Sequence, residues 1–430
     1  MLGRTALRWK DSAGVSELIS IDQARGRVLA AVRPLAAEDV PLAEALGRVP
    51  AEDVASPIDV PPFDSSAMDG YAVVGGPEAE LEVVGESRAG RPADVPVGPG
   101  TAIRISTGGA VPEGATAVVP LERSTAADGE AHGLHEGAGE GGALSEAGGP
   151  RRIRVQASAP GKNIRLSGED VRAGSVVLRR GSPLGPAELG VAASVGRASL
   201  RCARRPRVAV VVTGDELTEP GRPLGPGGIY SSNGWALAAQ VERAGALVTA
   251  RETVPDQAAE TRAALAGVLD SSEVVIVSGG VSVGPHDHVK PVLGELGVEE
   301  RFWGVCLRPG KPTWFGTRGD VLVFGLPGNP VSAMVGFHLF VRTALAAMQG
   351  ADPSAPRSDA TLEEPIPRHR TREQAVRVHL TTSRDGWRAR ATGPQGSHML
   401  TSMLGATALA RIAPGDGEVA AGERVEVELL

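Results

Sequence analysis

The stretch that decides the fold runs from Val274 to His288 and reads VVIVSGGVSVGPHDH. Four apolar, mostly β-branched residues lead into a turn rich in serine and glycine, which is typical of a buried parallel strand that feeds a loop. Glycines in such a loop let backbone N–H groups approach an anion closely, and Asp287 can hold a divalent cation beside it. Any strand-to-helix crossover needs a glycine-rich turn, however, so this stretch alone leaves the function open.

Strands and helices alternate around this stretch. Apolar runs at 208–212 and 321–324 predict two further buried strands. Helices are expected at 233–244, from an N-cap at Asp256 to about 268, at 288–296 and at 331–348. The alternation predicts a doubly wound parallel sheet. Three loops should then converge at its carboxyl edge, where ligands bind in such folds: 213–216, 278–287 and 325–329.

Positive charge and a helix start accompany these loops. Arg308 and Lys311 lie in a turn stiffened by proline and glycine, and Asn329 followed by Pro330 is a favourable helix start. Such a start offers free N–H groups to an anion. The loops match neither the Walker A motif nor the dinucleotide-binding motif, so they predict a different phosphate-type site.

The N-terminal and C-terminal parts are organised differently. A capping box at Ser20 predicts a helix over 21–32, and a second helix is expected at 42–48. The segment 61–73, PPFDSSAMDGYAV, combines carboxylates with large apolar residues in a loop, which favours a site or an interface. Short strands then predict a β-rich module at about 81–160, and the alternation after a linker predicts a β domain at 349–430.

Composition excludes several classes of protein. The 430 residues carry a formal net charge of −7, which argues against a nucleic-acid or membrane-surface protein. Neither cysteine has metal-site spacing, and no signal peptide or run of about 18 apolar residues is present, so the expected location is the cytoplasm. His132 and His135 have a spacing that can bind metal, but their Gly/Ala/Glu-rich segment, 124–150, is interpreted as a surface loop.

Four long motifs occur in a fixed order and carry a family resemblance. They are PPFDSSAMDGYAV at 61–73, SGGVSVG at 278–284, PGKP at 309–312 and LPGNPVS at 326–332. In this combination the chain, from about residue 18 to 430, closely resembles the molybdopterin molybdenumtransferase family (MoeA), which includes the E domain of gephyrin. The resemblance implies an elongated homodimeric subunit of mixed α/β and β class. Its parts would be an N-terminal region at 1–203 with the inserted module, a molybdopterin-binding α/β domain at 204–348 and a C-terminal domain like a β-barrel.

The resemblance also implies a reaction. Molybdate would be inserted into adenylylated molybdopterin, and AMP would be released with assistance from Mg²⁺. The partners would be these two substrates, a second copy of the chain and, transiently, the molybdopterin adenylyltransferase.

Site residues follow from the same resemblance. Catalytic roles fall to Asp287, Glu216 and Asp69, and Mg²⁺ would be held by Asp287 and Glu216. Substrate-binding roles fall to Thr107, Arg165, Asp170, Asp256, Ser278, Gly279, Gly280, Ser282, Gly284, Arg308, Lys311, Pro327, Gly328, Asn329, Arg377, Ser397 and His398. The residues of the N-terminal half, from Asp69 to Asp170, are expected to reach the α/β domain of the partner subunit.

Three departures from the family pattern and two alternative functions remain. Gly304 stands where many relatives have a lysine, Arg308 replaces the next lysine, and the 124–150 loop is longer than the family leads us to expect. One alternative function is adenylylation of molybdopterin with ATP, although relatives with that activity usually lack the 61–73 motif and the C-terminal barrel. The other is a non-catalytic scaffold, against which the intact carboxylates argue.

Overall fold

The structure is a computed structural model, and it describes residues 8–11, 14–127, 151–281 and 288–430. The chain forms two compact units. The first comprises Met1–Glu52, Arg180–Gly185 and Ser199–Leu430, and the second comprises Asp53–Arg179 and Pro186–Ala198. The region expected at 1–203 is therefore divided between the units, whereas the α/β domain and the C-terminal domain share the first.

The elements up to residue 203 are mostly short strands. The strands are β1 Arg8–Asp11, β2 Gly14–Glu17, β3 Ala37–Pro41, β4 Val54–Ala55, β5 Ser65–Ser66, β6 Gly70–Val73, β7 Ala79–Ser87, β8 Thr101–Ile105, β9 Ala117–Pro120, β10 Ser124–Ala126, β11 Arg152–Val155, β12 Ile164–Arg165, β13 Val176–Leu178 and β14 Ser199–Ala203. The helices are α1 Ile21–Ala31 and α2 Pro186–Ser194, with 3₁₀ turns at Leu42–Glu44 and Leu121–Arg123.

Strands and helices alternate in the next segment. The strands are β15 Arg207–Thr213, β16 Leu217–Thr218, β17 Ile229–Tyr230, β18 Leu247–Val254, β19 Val274–Ser278, β20 Glu299–Trp303, β21 Leu307–Arg308, β22 Trp314–Arg318 and β23 Val321–Leu326. The helices are α3 Asn233–Arg243, α4 Ala258–Ser271, α5 Val289–Glu295, α6 Pro330–Gly336 and α7 Arg342–Met348, and a π-helical turn, Phe337–Val341, joins the last two.

The final segment is again rich in strands. These are β24 Arg357–Leu362, β25 Ile366–Pro367, β26 Glu373–Ser383, β27 Gly386–Ala391, β28 Ala408–Ile412, β29 Glu418–Val419 and β30 Arg424–Leu429, with a 3₁₀ turn at Leu400–Met403.

The central sheet of the first unit has the strand order β18-β15-β19-β23-β22-β20. Its first four strands are parallel, but β22 and β20 are antiparallel to their neighbours. The prediction of a wholly parallel sheet is wrong at this edge. The reason is the two-residue connection from β22 to β23, since a tight hairpin can join only antiparallel strands.

Both faces of this sheet are covered, as the continuous apolar strands predicted. Val210, Ile276 and Phe324 pack in a core that also takes residues from α1, α3 and the helices after Asn329. On the opposite face, Val211 and Val277 pack with residues of α4 and α5. The doubly wound α/β layering is therefore confirmed.

Two local predictions around this core had different outcomes. The helix α1 begins as expected, because the hydroxyl of Ser20 accepts from the N–H of Gln23 and the Gln23 side chain accepts from the N–H of Ser20. The helix expected at 42–48 is wrong, since only a 3₁₀ turn forms at Leu42–Glu44. Gly47 adopts a left-handed conformation with φ of 72°, which prevents the 3₁₀ turn from continuing as a helix to residue 48.

The C-terminal domain is a closed five-stranded barrel. Around it the pairing runs β26-β27-β24-β30-β28 and returns to β26. The short strand β21 adds in parallel to β26. Alternate side chains such as Val376, Val378 and Val427 fill the interior, so the predicted barrel-like domain is confirmed.

The second unit is built on a six-stranded sheet of order β10-β11-β7-β8-β6-β9. The sheet begins at β6, ahead of the interval expected for the inserted module. The separate two-stranded ladders β12-β5 and β13-β4 and the helix α2 belong to the same unit.

The helical segment Pro330–Met348 is long and apolar enough, by length and composition alone, to cross a membrane. In the structure, 78% of its apolar window is buried within the protein. Phe337, Leu339 and Phe340 all lie in the main core. The segment therefore packs as a core helix.

Candidate active site

Two loops at the carboxyl edge of the parallel strands are bonded to each other. The hydroxyl of Ser278, at the end of β19, donates to the carbonyl of Pro327 at 3.1 Å. The amide of Asn233 donates to Ser278 Oγ at 2.9 Å and to the carbonyl of Gly328 at 2.8 Å. Of the loops predicted to converge, 278–287 and 325–329 are thereby shown to meet through Ser278, Pro327 and Gly328.

Asn233 was missed as a site residue. Its only signal in the sequence is its place at the start of α3, which reads as an ordinary helix start. Its two acceptors lie 45 and 95 residues away, so only the folded chain reveals that it links the loops.

Gly279 and Gly280 have backbone conformations that favour glycine, with φ of 102° and 61°. A Cβ at Gly279 would lie 2.5 Å from the carbonyl oxygen of Thr213, and one at Gly280 would lie 2.5 Å from Val289 Cγ2. These glycines therefore allow the loop to pack against its neighbours. The rest of this motif, 282–287, with Ser282, Gly284 and Asp287, lies outside the described residues.

Three carboxylates follow the neighbouring strands β15 and β18. The N–H of Asp256 donates to Asp215 Oδ1 at 3.0 Å. Burial raises the pKa of Asp256, and the nearby carboxylates of Asp215 and Glu216 raise it further. Asp256 is therefore part of an acidic cluster. The prediction that it caps a helix is wrong, because α4 begins at Ala258 after Gln257 with no side-chain cap.

The donor chemistry of this acidic cluster suits Mg²⁺. Mg²⁺ prefers carboxylate oxygens, and it typically takes only one or two of them together with substrate phosphates and water. Among the described residues no group of three or more His, Cys, Asp or Glu side chains is arranged to hold a metal ion. Glu216 and its neighbours supply carboxylates of the kind that could hold this ion beside a substrate phosphate.

A basic pocket of about 370 Å³ lies beside these loops. Its walls come from the turn 308–312, the loop residues Pro327 and Asn329, Ser332 of α6, Arg372 and the segment 395–398 of the barrel domain. The structure therefore brings together six of the predicted residues: Arg308, Lys311, Pro327, Asn329, Ser397 and His398. Pro327 lines this pocket and its carbonyl accepts the hydrogen bond from Ser278 in the glycine loop, so the pocket and the loop are adjacent.

Arg372 is the second residue missed from sequence. It lines the basic pocket, and its Nη2 lies 3.0 Å from His369 Nε2. Burial lowers the pKa of Arg372, and the positive charge of Arg308 lowers it further. The pocket therefore holds close positive charges that an oxyanion would stabilise. Arg372 directly precedes β26, whose first two residues pair with β21, and no local motif predicts that pairing.

Arg377 is fully buried, and its hydrogen bonds go to the protein. Its guanidinium donates to the carbonyls of Pro394, Gln395 and Gly396 at 3.3 Å and to Ser402 Oγ at 2.9 Å. Burial lowers its pKa to about 10. In this structure Arg377 therefore positions the segment that ends in Ser397 and His398, one wall of the basic pocket.

Three loops of the second unit are joined to one another. The carboxylate of Asp69 accepts from the N–H of Thr107 at 2.7 Å. Arg165 in β12 pairs with Ser65 in β5, and the N–H of Asp170 donates to the carbonyl of Val60 at 3.0 Å. Asp69, Thr107, Arg165 and Asp170 thus all lie on connected, solvent-exposed loops. Their roles toward a substrate stay a prediction.

Gly304, the main departure from the family pattern, has a structural reason. Its φ is 86°, and a Cβ would lie 2.6 Å from Leu18 Cδ2. A lysine would be strained in this backbone. The backbone here therefore suits glycine.

Comparison with known proteins agrees with this arrangement. The model of the MoeA N-terminal region (domains I and II) matches residues 19–196, that of a probable molybdopterin-binding domain matches 209–347, and that of the MoeA C-terminal region (domain IV) matches 359–430. Molybdopterin molybdenumtransferase 2 of Mycobacterium tuberculosis is 40% identical over 93% of this chain and 96% of its own length. The molybdopterin molybdenumtransferase of Haemophilus influenzae is 36% identical over 96% and 98%.

A solved structure is similar over nearly the whole chain. The molybdopterin biosynthesis moeA protein of Pyrococcus horikoshii OT3 superposes with a TM-score of 0.78 at 30% identity, covering 96% of this chain and all of its own. Fold, site and comparisons together define a transferase of molybdenum cofactor biosynthesis. The chain belongs to the molybdopterin molybdenumtransferase (MoeA) family, and it is an enzyme of that type whose role implies a molybdopterin substrate.

Proposed function

We propose that this enzyme takes adenylylated molybdopterin and molybdate, releases AMP with assistance from Mg²⁺ and yields Mo-molybdopterin. The observation that carries the proposal is the segment Pro327–Asn329. It is bonded to the glycine loop through Ser278 and Asn233, and it also lines the basic pocket. A site with a phosphate loop on one side and an oxyanion pocket on the other suits a substrate that carries both phosphates and an acceptor for molybdate.

The phosphate side is supported by backbone groups. The glycines Gly279 and Gly280 leave room for an anion to approach the backbone, and the helix that starts after Asn329 would present its positive dipole end to it. The N–H groups of Gly279 and Val331 themselves donate to the carbonyls of Leu326 and Ser397. Contacts of the anion with this loop and helix start would orient the phosphoanhydride in one position, which lowers the entropy cost of its cleavage.

The oxyanion side is supported by positive charge. Arg308, Lys311 and Arg372 line a pocket whose volume exceeds that of a tetrahedral oxyanion. Guanidinium groups match the oxygens of such an anion. The hydroxyl of Ser397 would donate a hydrogen bond to the anion. Arg377 would keep that hydroxyl in place by holding the loop 394–396.

Mg²⁺ would be held by Asp287 and Glu216, with Asp256 nearby. When bound, the ion polarises a phosphoryl oxygen and offsets the charge on the leaving phosphate. The chain's own carboxylates would fix that ion against the substrate, and the negative charge of the acidic cluster would attract a cation there.

The functional form in this proposal is a homodimer in the cytoplasm. Asp69, Thr107, Arg165 and Asp170 would come from one subunit and complete the site formed by the α/β domain of the other. The substrate would be supplied by a molybdopterin adenylyltransferase in a transient contact. The net charge of −7 gives no reason to expect nucleic acid as a partner.

The direct test is a turnover assay. Purified protein is incubated with adenylylated molybdopterin, molybdate and Mg²⁺, and AMP and metal-loaded cofactor are measured. Asp287→Ala should abolish both products, while Asp385→Ala, on an exposed barrel turn, should not. Consumption of ATP with unmodified molybdopterin would instead establish an adenylyltransferase. Absence of both activities together with capture of a peptide would establish a scaffold.

The composite site is tested with mixed dimers. Asp69→Ala and Lys311→Ala are expressed with different tags, and the dimer carrying both tags is purified. If each site combines residues of two subunits, this dimer has one intact site and regains about half of the activity of the wild-type dimer. If each site lies within one subunit, the mixed dimer is as inactive as the two parents.

A further inference from the structure

A second cavity, of about 580 Å³, lies at the opposite edge of the central sheet. Arg207 and Leu247 face each other in register at the amino ends of β15 and β18, and both line this cavity. The loops of the candidate active site follow the carboxyl ends of the same strands. Because β15 rises about 3.3 Å per residue, its two ends are roughly 20 Å apart. The cavity is therefore a separate place in the first unit.

Arginines dominate the lining of this cavity. Arg48, Arg204, Arg205 and Arg207 contribute four positive charges, against two negative charges from Glu38 and Glu44. Three of these arginines belong to the basic stretch 201–207, which in the sequence marks only a boundary between domains. The lining thus carries an excess of positive charge that the proposed reaction does not use.

Two of the lining arginines each carry a buried donor that has no acceptor among the described residues. The Nε atoms of Arg48 and Arg205 are both buried without a hydrogen-bond partner. The Arg48 side chain is only 9% exposed and is anchored through Nη2, which bonds Glu38 and the carbonyl of Ala203. Both Nε atoms are closed to solvent, so a ligand in the cavity would contact the accessible guanidinium atoms of the lining arginines.

The other two arginines are fixed in place by one carboxylate. Glu273 accepts from Arg207 Nε at 2.9 Å and from Arg207 Nη2 at 2.7 Å, and it accepts from Arg204 Nη2 at 3.2 Å. Glu273 is largely buried, with 17% of its side chain exposed. Glu273 therefore holds the guanidinium groups of Arg204 and Arg207 in place before a ligand binds, which reduces the entropy cost of binding.

We propose that this cavity, the arginine cavity, binds a small phosphorylated molecule through Arg48 and Arg205. Guanidinium groups match phosphate oxygens in geometry and charge, and the volume lies in the range of small-molecule sites, well above that of inorganic phosphate alone. The half-exposed side chain of Leu247 offers an apolar contact to the rest of such a molecule. The cavity is open to solvent on one side, and its volume suits a small anion better than an acidic protein segment.

The test is calorimetry on the full-length protein at constant ionic strength, with pyrophosphate and AMP as probes and citrate as the carboxylate control. Arg205→Gln should weaken binding of pyrophosphate at least tenfold. Arg201→Gln is the matched control, since Arg201 is exposed on the adjacent strand and does not line the cavity. Glu44→Gln should tighten binding about threefold by removing a negative charge from the lining.

The basic pocket must be separated from this site. Lys311→Ala should keep the calorimetric signal that Arg205→Gln loses, and Arg205→Gln should leave the turnover rate without probe unchanged. AMP binding stronger than pyrophosphate would identify a nucleotide ligand, and the reverse order would identify free phosphates. The proposal would be overturned if the wild type bound neither probe at millimolar concentration. It would also be overturned if Arg205→Gln and Arg201→Gln bound pyrophosphate equally, or if citrate bound as tightly as both probes.

Discussion

His338 Nε2 lies 3.1 Å from Oε1 of Glu428, and both side chains are buried in the first unit. Arg25 of α1 also bonds this carboxylate, and Arg25 Nε donates to the carbonyl of Leu339 at 2.9 Å. One buried carboxylate in β30 thus connects α1, the π-helical turn and the barrel. Removing it would leave buried positive charge unpaired.

This relationship predicts instability in acid. Its partners lower the pKa of Glu428 to about 2 against the cost of burial, so the stability it contributes is present above its ordinary pKa near 4.5 and is lost as pH falls toward 2. Burial lowers the pKa of His338, so its protonation below about pH 6.5 is also unfavourable to the fold. The melting temperature should therefore begin to fall below about pH 6.5 and fall most steeply from about pH 4.5 toward pH 2, as scanning calorimetry would measure.

Glu428→Gln tests the same group by substitution. We expect a loss of about 3–5 kcal/mol in the free energy of unfolding at pH 7, because the variant leaves buried arginines without a counter-charge. Glu426→Gln, an exposed position of the same strand, should lose less than about 1 kcal/mol. Equal losses in urea unfolding for the two variants would show that the buried carboxylate has no special role.

Arg377→Met should damage the basic pocket without touching a ligand. The carbonyls of 394–396 would lose their donor, and their loop would no longer hold Ser397 and His398 in the wall of the pocket. We expect the Kd for molybdate to rise at least tenfold in calorimetry. Arg388→Met, an exposed site in β27, is the control and should bind molybdate as the wild type does. Unchanged binding by Arg377→Met would refute the positioning role.

Gly279→Ala should be strongly unfavourable. It places a Cβ 2.5 Å from a backbone oxygen at a φ of 102°, so we expect a loss of about 2 kcal/mol or more in stability and a loss of turnover. Gly328→Ala is the matched control in the adjoining loop, where the nearest atom to a Cβ would be 3.8 Å away. Thermal unfolding of both variants measures the difference, and a destabilised Gly328→Ala variant would contradict the packing argument.

Asp256→Asn should stabilise the metal-free protein. The pKa of Asp256 is raised in the fold, so stability falls as pH rises through that value and the carboxyl group ionises. At pH 7 the substitution removes that cost, and we expect a gain of about 0.5 kcal/mol. Addition of 10 mM MgCl₂ should raise the melting temperature of the wild type more than that of the variant. A larger Mg²⁺ effect on the variant would argue against a cation in this cluster.

Local patterns in the sequence predicted the elements whose causes are local. The capping box at Ser20 and the apolar runs of β15, β19 and β23 are readable because period and capping act over a few residues. The antiparallel edge was missed because a strand's direction depends on its connection, and the apolar pattern of β22 is the same in either direction. Asn233 and Arg372 were missed because their partners are set by tertiary pairing, which no local window contains.

The addition of β21 to the barrel has a consequence for modularity. Arg308 is carried by a strand whose pairing partner, β26, belongs to the domain after it. A truncated protein that ends after α7 would keep the sheet and the glycine loop, yet it would lose the scaffold of the turn 308–312 and the wall at 395–398. The α/β domain alone therefore cannot form the oxyanion pocket. A protein built from that domain alone would need another means of holding such an anion.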